Sequence, residues 1–235
     1  MSLDPTRVAT GLVEIMILLF AISAHESAHA WMADRCGDPT ARQLGRVTLN
    51  PFKHLDPFGS VLLPLILFVA GAPMFGWARP TPVLTRNLRR PRRDGILVSA
   101  AGPLANLAIS LVSALLLAVA VRALPDGREA ATAALQMNFF RDGAAPVVGL
   151  HNFPLLFTLV QLSYLNGFLA IFNLVPIPPL DGGQIVIDLM PADWAQKFAA
   201  LRPFGFMIVM GLGMFGVLSL ASAPLVAGLW LIIHL

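Results

Sequence analysis

Two histidines on one turn of a helix are the first feature of this sequence that suggests chemistry. His25 and His29 enclose Glu26 in the motif His-Glu-Ser-Ala-His, which lies inside a long apolar stretch. Residues four apart lie on the same helical face, so both imidazoles can bind one zinc ion. The glutamate between them is then placed to act as a general base toward a water molecule. The motif therefore predicts a hydrolytic zinc site with Glu26 as its catalytic residue.

A catalytic zinc ion needs a third protein ligand and one open position. Asp181 is favoured because it follows the proline-rich run Pro176–Pro179 and precedes Gly182 and Gly183. The prolines end a helix, and the glycines permit a tight backbone. Irregular backbone at membrane depth is tolerated only where it is buried in protein or lines a cavity. The other candidates for the third ligand are His54, His151, Asp188 and His234.

The composition indicates a membrane protein. Of the 235 residues, 57% are hydrophobic and 12% are charged, and the mean hydropathy is +0.74. A soluble domain carries about 25% charged residues, so an ordinary soluble enzyme, a disordered chain and a nucleic-acid binder are excluded. The net charge of +3 favours an anionic membrane surface as partner. We expect one all-α integral membrane domain over residues 1–235, with no disulfide because Cys36 is the single cysteine.

Four apolar stretches reach the length of about 20 residues that a helix needs to cross a bilayer. The last is long for one span and contains Pro224, so one kinked helix or two short helices are both compatible with it. We expect three transmembrane helices around the zinc site, a core over about residues 8–190, and one or two C-terminal helices over about 198–235. The four stretches are Val8–Met32, Ile96–Leu124, Phe153–Val175 and Phe204–Leu235.

Loop charge and chain order together predict the topology. The loop Trp77–Asp94 holds six arginines and one acid, which by the positive-inside rule places it in the cytoplasm. The loop Pro125–Asn152 is balanced in charge. If His29 and Asp181 meet, an even number of crossings separates them. The short, broken stretch Val61–Phe75 then does not cross, and we expect it to be re-entrant or to lie on the membrane. A short β-hairpin is the alternative to a re-entrant segment. The site would open toward the cytoplasm.

Polar residues within the apolar stretches are further candidates. Asn106 ends the run Ala100–Asn106, whose small residues permit close helix approach, and its amide is able to bind a substrate carbonyl or to join helices. Glu14 shares the histidine face about 16 Å along the helix and fits a water path or a snorkelling position equally well. The residues near Gly45–Leu49 are a candidate edge to which a substrate adds as a strand.

Three motifs together resemble the site-2 protease family of intramembrane zinc metalloproteases. The resemblance covers roughly residues 8–190, and residues 75–80 are similar to compact bacterial members that lack PDZ and nucleotide-binding domains. The motifs are His25-Glu-x-x-His29, Ala101-Gly102-Pro103-x-x-Asn106 and Asn173-x-x-Pro176-x-Pro178-x-x-Asp181-Gly182.

The resemblance implies one Zn²⁺ bound by His25, His29 and Asp181, with Glu26 as general base. It also implies that Asn106 and Asn173 lie near the site and position substrate. The expected substrate is a transmembrane segment of another protein, and the expected location is a bacterial inner membrane. Nucleic acid is not an expected partner, and the oligomeric state stays open.

Two other classes of protein fit part of the pattern. A membrane zinc transporter also places histidine and aspartate in its helices, but it needs polar residues along a whole pathway. A catalytically silent zinc-binding scaffold is the second alternative, although structural zinc usually has four protein ligands. Glu26 also has no evident role in a zinc transporter.

Overall fold

The computed structural model describes residues 5–70, 78–139 and 150–235, and within these ranges the chain is built from helices. Short 3-10 turns at Pro51–Lys53, Thr85–Asn87 and Arg202–Phe204 connect some of them. The α-helices are α1 (Pro5–Cys36), α2 (Thr40–Gln43), α3 (Leu63–Ala70), α4 (Pro91–Ala123), α5 (Gly127–Phe139), α6 (Phe153–Asn173), α7 (Asp181–Leu189), α8 (Ala192–Ala199), α9 (Gly205–Met214) and α10 (Val217–His234).

Three helices are long and apolar enough to cross a membrane, as the sequence predicts. They are Val8–Cys36 of α1, with 29 residues, α4 with 33 and α6 with 21. On α4, Leu111, Leu115 and Val119 form an exposed apolar stripe at helical spacing. A stripe of this kind is unfavourable in water and suits contact with lipid tails. The chain is therefore an integral membrane protein.

Polar side chains join the three spans. Asn106 on α4 donates to Asn166 Oδ1 on α6 at 2.8 Å, and one turn later Ser110 Oγ donates to the Ser163 carbonyl at 2.7 Å. The residue number of the donor rises along α4 while that of its partner falls along α6, so the two helices are antiparallel. Such interhelical hydrogen bonds stabilise membrane bundles because lipid offers no alternative partner. The two stretches therefore form an antiparallel pair of helices, as an outward and a returning crossing would require.

Glu14 has a partner within the bundle. Gln161 Nε2 on α6 donates to Glu14 Oε1 at 2.9 Å, and the Gln161 side chain is buried. A carboxylate with a hydrogen-bond donor is tolerated at membrane depth much better than an isolated one. Glu14 therefore links α1 to α6.

The described part of the apolar stretch Val61–Phe75 lies in a helical element that is shorter than the hydrocarbon core of a bilayer. A π-helical segment, Pro57–Leu62, runs directly into α3, giving six plus eight residues. At 1.5 Å per residue this element is about 21 Å long, against a hydrocarbon core of about 30 Å. Residues 71–75 of the predicted stretch lie outside the described residues. A re-entrant placement in the membrane stays a prediction.

The β-hairpin alternative is wrong for the described residues, which contain no β-strand and a single isolated bridge between Leu55 and Ala78. The proposed edge near Gly45–Leu49 is likewise a turn and bend, with Gly45 in the left-handed region at φ +67°. Arg46 in this turn is buried, and its guanidinium donates to the Arg79 carbonyl at 3.4 Å. A hydrogen bond thus links this turn to Arg79, and residues 45–49 contain no β-strand, while the binding of a substrate strand along them stays a prediction.

The predicted loop Pro125–Asn152 contains a helix, α5. Its alanines Ala130, Ala131, Ala133 and Ala134 are almost completely buried against α6 and α10. Alanine has the highest helix propensity and lets helices approach closely. The sequence did not indicate this helix, because its buried face is formed by alanine methyl groups and gives only a weak hydrophobic pattern.

The C-terminal stretch forms two helices, α9 and α10, and they separate at Gly216 rather than near Pro224. Gly216 has φ +74°, a left-handed conformation that glycine adopts without steric cost and that commonly ends a helix. Pro224 lies inside α10, which continues past it. Proline is tolerated in membrane helices when neighbouring groups compensate for the missing donor.

A buried aspartate organises the chain after α1. Asp38 is fully buried and accepts hydrogen bonds from the Thr40 and Leu84 amides and from Asn87 Nδ2, at 3.1, 2.6 and 2.9 Å. Burial alone would raise the pKa of Asp38, but these hydrogen bonds and that of the Thr40 hydroxyl hold it below its ordinary value. Asp38 therefore ties the segment before α4 to the end of α1.

We predict that Asp38→Asn destabilises the protein by about 2 kcal/mol, because an amide hydrogen then faces the Leu84 N–H. The lowered pKa means that the stabilisation by Asp38 is complete above about pH 4 and is lost at lower pH. Thermal unfolding in detergent checks this. Asp193→Asn, at an exposed aspartate of α8, is the control and leaves the midpoint unchanged. A wild-type midpoint in Asp38→Asn would contradict the assignment.

Candidate metal centre

The two histidines and the distant aspartate meet, as the sequence predicts. The His25 and His29 Nε2 atoms are 3.0 Å apart, and Asp181 Oδ2 lies 3.1 Å from the first and 3.4 Å from the second. Both histidines are buried, and the three residues form a group able to hold a metal ion. Ligands of a tetrahedral zinc ion with bonds of about 2.0–2.1 Å lie about 3.4 Å apart. The spacing therefore suits zinc.

The remaining ring nitrogens determine which tautomer each histidine adopts. His25 Nδ1 is 2.6 Å from Asn106 Oδ1, and His29 Nδ1 is 2.7 Å from the Val98 carbonyl oxygen. Both oxygens only accept hydrogen bonds, so each Nδ1 must carry its hydrogen. In a neutral imidazole each Nε2 then presents a lone pair. This is the arrangement in which outer hydrogen bonds orient metal-binding histidines.

Three acceptors thus face one another with no donor between them. Asp181 Oδ2 is buried and has no hydrogen-bond donor among the described residues. Two nitrogen lone pairs and a carboxylate oxygen at such distances repel one another unless a cation lies among them. The residues therefore fit a divalent metal bound through two nitrogens and one oxygen, a donor set that zinc accepts.

Gly102 on α4 makes room for both imidazoles. A Cβ atom at this position would lie 2.3 Å from His29 Nε2 and 2.7 Å from His25 Cε1. Either distance is far inside van der Waals contact, so any side chain would displace the ligands. The Ala-Gly-Pro motif at this point of α4 is explained by this close approach.

Asp181 reaches the histidines through a tight turn between α6 and α7. Gly182 follows it, and a Cβ there would lie 2.2 Å from the Leu174 carbonyl oxygen, so the chain folds back on itself. Asp181 is also the first residue of α7, where the helix dipole favours a carboxylate. The glycine thus permits a turn that points the carboxylate at α1.

Glu26 is partly buried and held by a residue that the sequence did not indicate. The Thr81 N–H donates to Glu26 Oε2 at 2.8 Å, and the Thr81 hydroxyl donates to the Glu26 carbonyl at 3.1 Å. The segment around Thr81 is anchored on both sides, by Arg79 N–H to the His54 carbonyl at 2.9 Å and by Leu84 N–H to Asp38. Because every residue type except proline carries a backbone N–H, no sequence signal could have identified this donor.

Asn106 and Asn173 lie differently with respect to the centre. Asn106 is fully buried, and both its amide hydrogens are used, toward the Ala21 carbonyl at 3.1 Å and toward Asn166. Its oxygen faces His25. Asn173 is partly buried at the end of α6 and donates to the Leu169 carbonyl at 2.9 Å. Asn166, which helps to orient Asn106, was missed because a lone asparagine in an apolar helix has no motif.

The other candidate ligands are not part of this group among the described residues. His54 Nε2 donates to the Thr48 carbonyl at 2.8 Å, and His234 Nδ1 to the Trp230 carbonyl at 2.9 Å. Asp188 accepts from Gln184, and burial raises the pKa of its carboxyl. His151 is exposed.

Comparisons with known proteins agree with this centre. The profile of peptidase family M50 matches residues 13–215. The chain is 39% identical over 196 residues to "Putative zinc metalloprotease YwhC" of Bacillus subtilis, covering 83% of this chain and 77% of that protein. It is 30% identical over 192 residues to "Putative zinc metalloprotease Rip2" of Mycolicibacterium smegmatis, covering 82% and 62%. No solved structure matches at a significant level.

The chain belongs to peptidase family M50, the site-2 protease family. With its three apolar spans it is a membrane protein of the zinc metalloprotease class, and its size fits the compact members. The resemblance inferred from the three motifs is confirmed.

We predict that Gly102→Ala abolishes zinc binding, because the added methyl group occupies the space of the two imidazoles. Gly228→Ala is the matched control, since Gly228 also lies within a helix but has no neighbouring atom within 4 Å of the place where a Cβ would lie. Metal content of the purified proteins, measured by mass spectrometry, distinguishes the two. Wild-type zinc content in Gly102→Ala would refute the close approach.

Proposed function

We propose that this protein hydrolyses peptide bonds in or next to transmembrane segments of other membrane proteins. One zinc ion per chain is held by His25, His29 and Asp181, with Glu26 as general base. The observation that carries the proposal is the convergence of three buried acceptor atoms on one point. Hydrogen bonds to Asn106 and to the Val98 carbonyl set the tautomers of the two histidines. A fourth protein ligand is absent from this group among the described residues, which suits an open catalytic position.

When bound, zinc supplies a Lewis acid for the scissile carbonyl and acidifies water. Glu26 takes a proton from the attacking water, whose oxygen bonds to the carbonyl carbon. As the carbon–nitrogen bond breaks, Glu26 delivers the proton to the leaving amine. His25 and His29 keep their Nδ1 hydrogens, engaged with Asn106 and Val98, so neither histidine needs to exchange a proton. Thr81 N–H keeps one carboxylate oxygen of Glu26 in place.

The two asparagines have different proposed roles. Asn106 acts on the reaction through His25, because its amide is engaged inside the protein. Asn173 lies at the end of α6, beside the turn that carries Asp181, and there it positions substrate. A substrate helix has its carbonyls hydrogen-bonded internally, so it must unwind before a scissile carbonyl becomes accessible to attack.

The proposed location is a bacterial inner membrane, with the centre opening toward the cytoplasm. The arginine-rich segment before α4 lies at the same end of the bundle as His29, because α4 begins beside Cys36. Positive loops remain on the cytoplasmic side. Residues 1–235 would act as a single membrane domain.

The alternatives of a zinc transporter and a silent scaffold have less support. The described residues bring together one candidate metal group, whereas a transport path needs successive sites. A structural zinc site does not require a carboxylate such as Glu26, held by the Thr81 N–H, beside the histidine ligands.

We predict that Glu26→Gln retains zinc at the wild-type level and loses about 10²–10⁴-fold in cleavage rate, because glutamine cannot accept the proton of water. The assay uses purified protein in proteoliposomes with a model transmembrane substrate, alongside metal analysis. A transporter would still move zinc in this variant, and a scaffold would show no cleavage in the wild type. Either result would contradict the proposal.

We predict that removing the Thr81 N–H lowers kcat about tenfold or more, with KM little changed, because Glu26 loses a hydrogen bond to its charged group. Thr81→Pro removes the N–H, and an ester linkage at the same position, introduced with an α-hydroxy acid, does so with a smaller change. Thr81→Ala keeps the N–H and is the control. All variants should bind zinc normally. Equal kcat values across the series would overturn this role for Thr81.

A further inference from the structure

A polar cavity that is open to the surface lies between the end of α1 and the start of α4, outside the metal centre. Its volume is about 280 Å³, and pockets for whole drug-sized ligands begin near that size. Its dimensions therefore suit a small polar group better than a peptide. The lining residues are Arg35, Cys36, Arg89, Arg90, Arg93, Asp94 and Leu97.

The cavity carries a concentrated positive charge. Four arginines line it against one carboxylate, Asp94, which already accepts the Arg90 N–H at 2.7 Å. None of these arginines forms an ion pair with a carboxylate among the described residues. Like charges gathered in one cavity repel one another, and an anion relieves that repulsion. Guanidinium groups bind phosphate oxygens through paired, charge-assisted hydrogen bonds.

The backbone that carries these arginines is held in position. Arg89 N–H donates to the Cys36 carbonyl at 3.1 Å, so the segment before α4 is attached to the end of α1. The hydrogen bond from Arg90 N–H to the Asp94 carboxylate fixes Arg90 at the start of α4. Arg35 extends over the ring of Trp31, with its guanidinium carbon 5.3 Å from the ring centre. The backbone that carries these exposed arginines is therefore fixed, which lowers the cost of ordering the chain when a ligand binds.

An apolar surface adjoins the charged one. Leu97 in the wall of the cavity is 40% exposed, and Trp31 beside Arg35 is 44% exposed. Both lie in spans, Leu97 within the first turns of α4 and Trp31 near the end of α1. Tryptophan is enriched where membrane helices meet the headgroup region. A ligand at this place thus has its charged part among arginines and its apolar part along Leu97.

We propose that this cavity binds the phosphate group of an anionic phospholipid, with the acyl chains directed along the lipid-facing side of α4. Basic pockets between membrane helices bind anionic headgroups in this way. The site is independent of the proposed peptidase activity. Binding at this cavity differs from a general attraction of arginines to a membrane, because it depends on the four arginines that line the cavity and not on the other arginines of the segment.

The test titrates phosphatidylglycerol or phosphatidylcholine into the full-length protein in detergent and counts bound lipid by native mass spectrometry. Arg89→Ala/Arg93→Ala removes two lining arginines. Arg86→Ala/Arg92→Ala is the matched control, because it removes the same charge from the same segment but outside the cavity. Arg35→Gln provides a third variant, on α1, if the first does not fold. A parallel titration uses inorganic phosphate.

We expect the wild type and the control to bind phosphatidylglycerol equally and in preference to phosphatidylcholine. The cavity variant should bind it about 100-fold more weakly, since two charge-assisted hydrogen bonds are lost. Equal weakening in both double variants would show surface charge alone and overturn the proposal. Equal binding of the two lipids, or binding of inorganic phosphate as tight as that of phosphatidylglycerol, would also overturn it.

Discussion

The repulsion among three buried acceptor atoms is the constraint on which the rest of this structure depends. Two imidazole nitrogen lone pairs and the Asp181 carboxylate are directed at one point inside the helical bundle. A cation among the three atoms removes this repulsion, which is costly at membrane depth. Asn106 and the Val98 carbonyl preserve it by holding the outer ring nitrogens of the histidines.

Helix α4 supplies the groups that orient the two histidines and the space that their rings occupy. Its Val98 carbonyl and Asn106 orient the imidazoles, and Gly102 between them leaves the space that the imidazoles occupy. The opposite side of the helix is an apolar surface facing lipid. One helix thus separates the polar interior from the bilayer, which explains why small and polar residues interrupt an otherwise apolar stretch.

The end of the bundle near the centre is held by backbone contacts from an irregular segment. Asp38 and the His54 carbonyl anchor this segment on either side of Thr81, whose amide reaches Glu26. The arginine-lined cavity lies at the same end, and Leu97 in its wall immediately precedes Val98, which accepts the His29 hydrogen bond. Lipid contact and metal-site geometry therefore share the first turns of α4.

The sequence by itself determined the features that depend on local spacing. The pair His25 and His29 follows from helical periodicity, and the three spans follow from the length of the apolar stretches. The proline-rich turn and the family motif also pointed to Asp181, which the tertiary structure places next to the two histidines. Only the tertiary structure decided that Thr81 contacts Glu26. Helix α5 was also revealed only there. These features depend on backbone groups, methyl surfaces and contacts distant in sequence, and such interactions leave no periodic pattern of residue types.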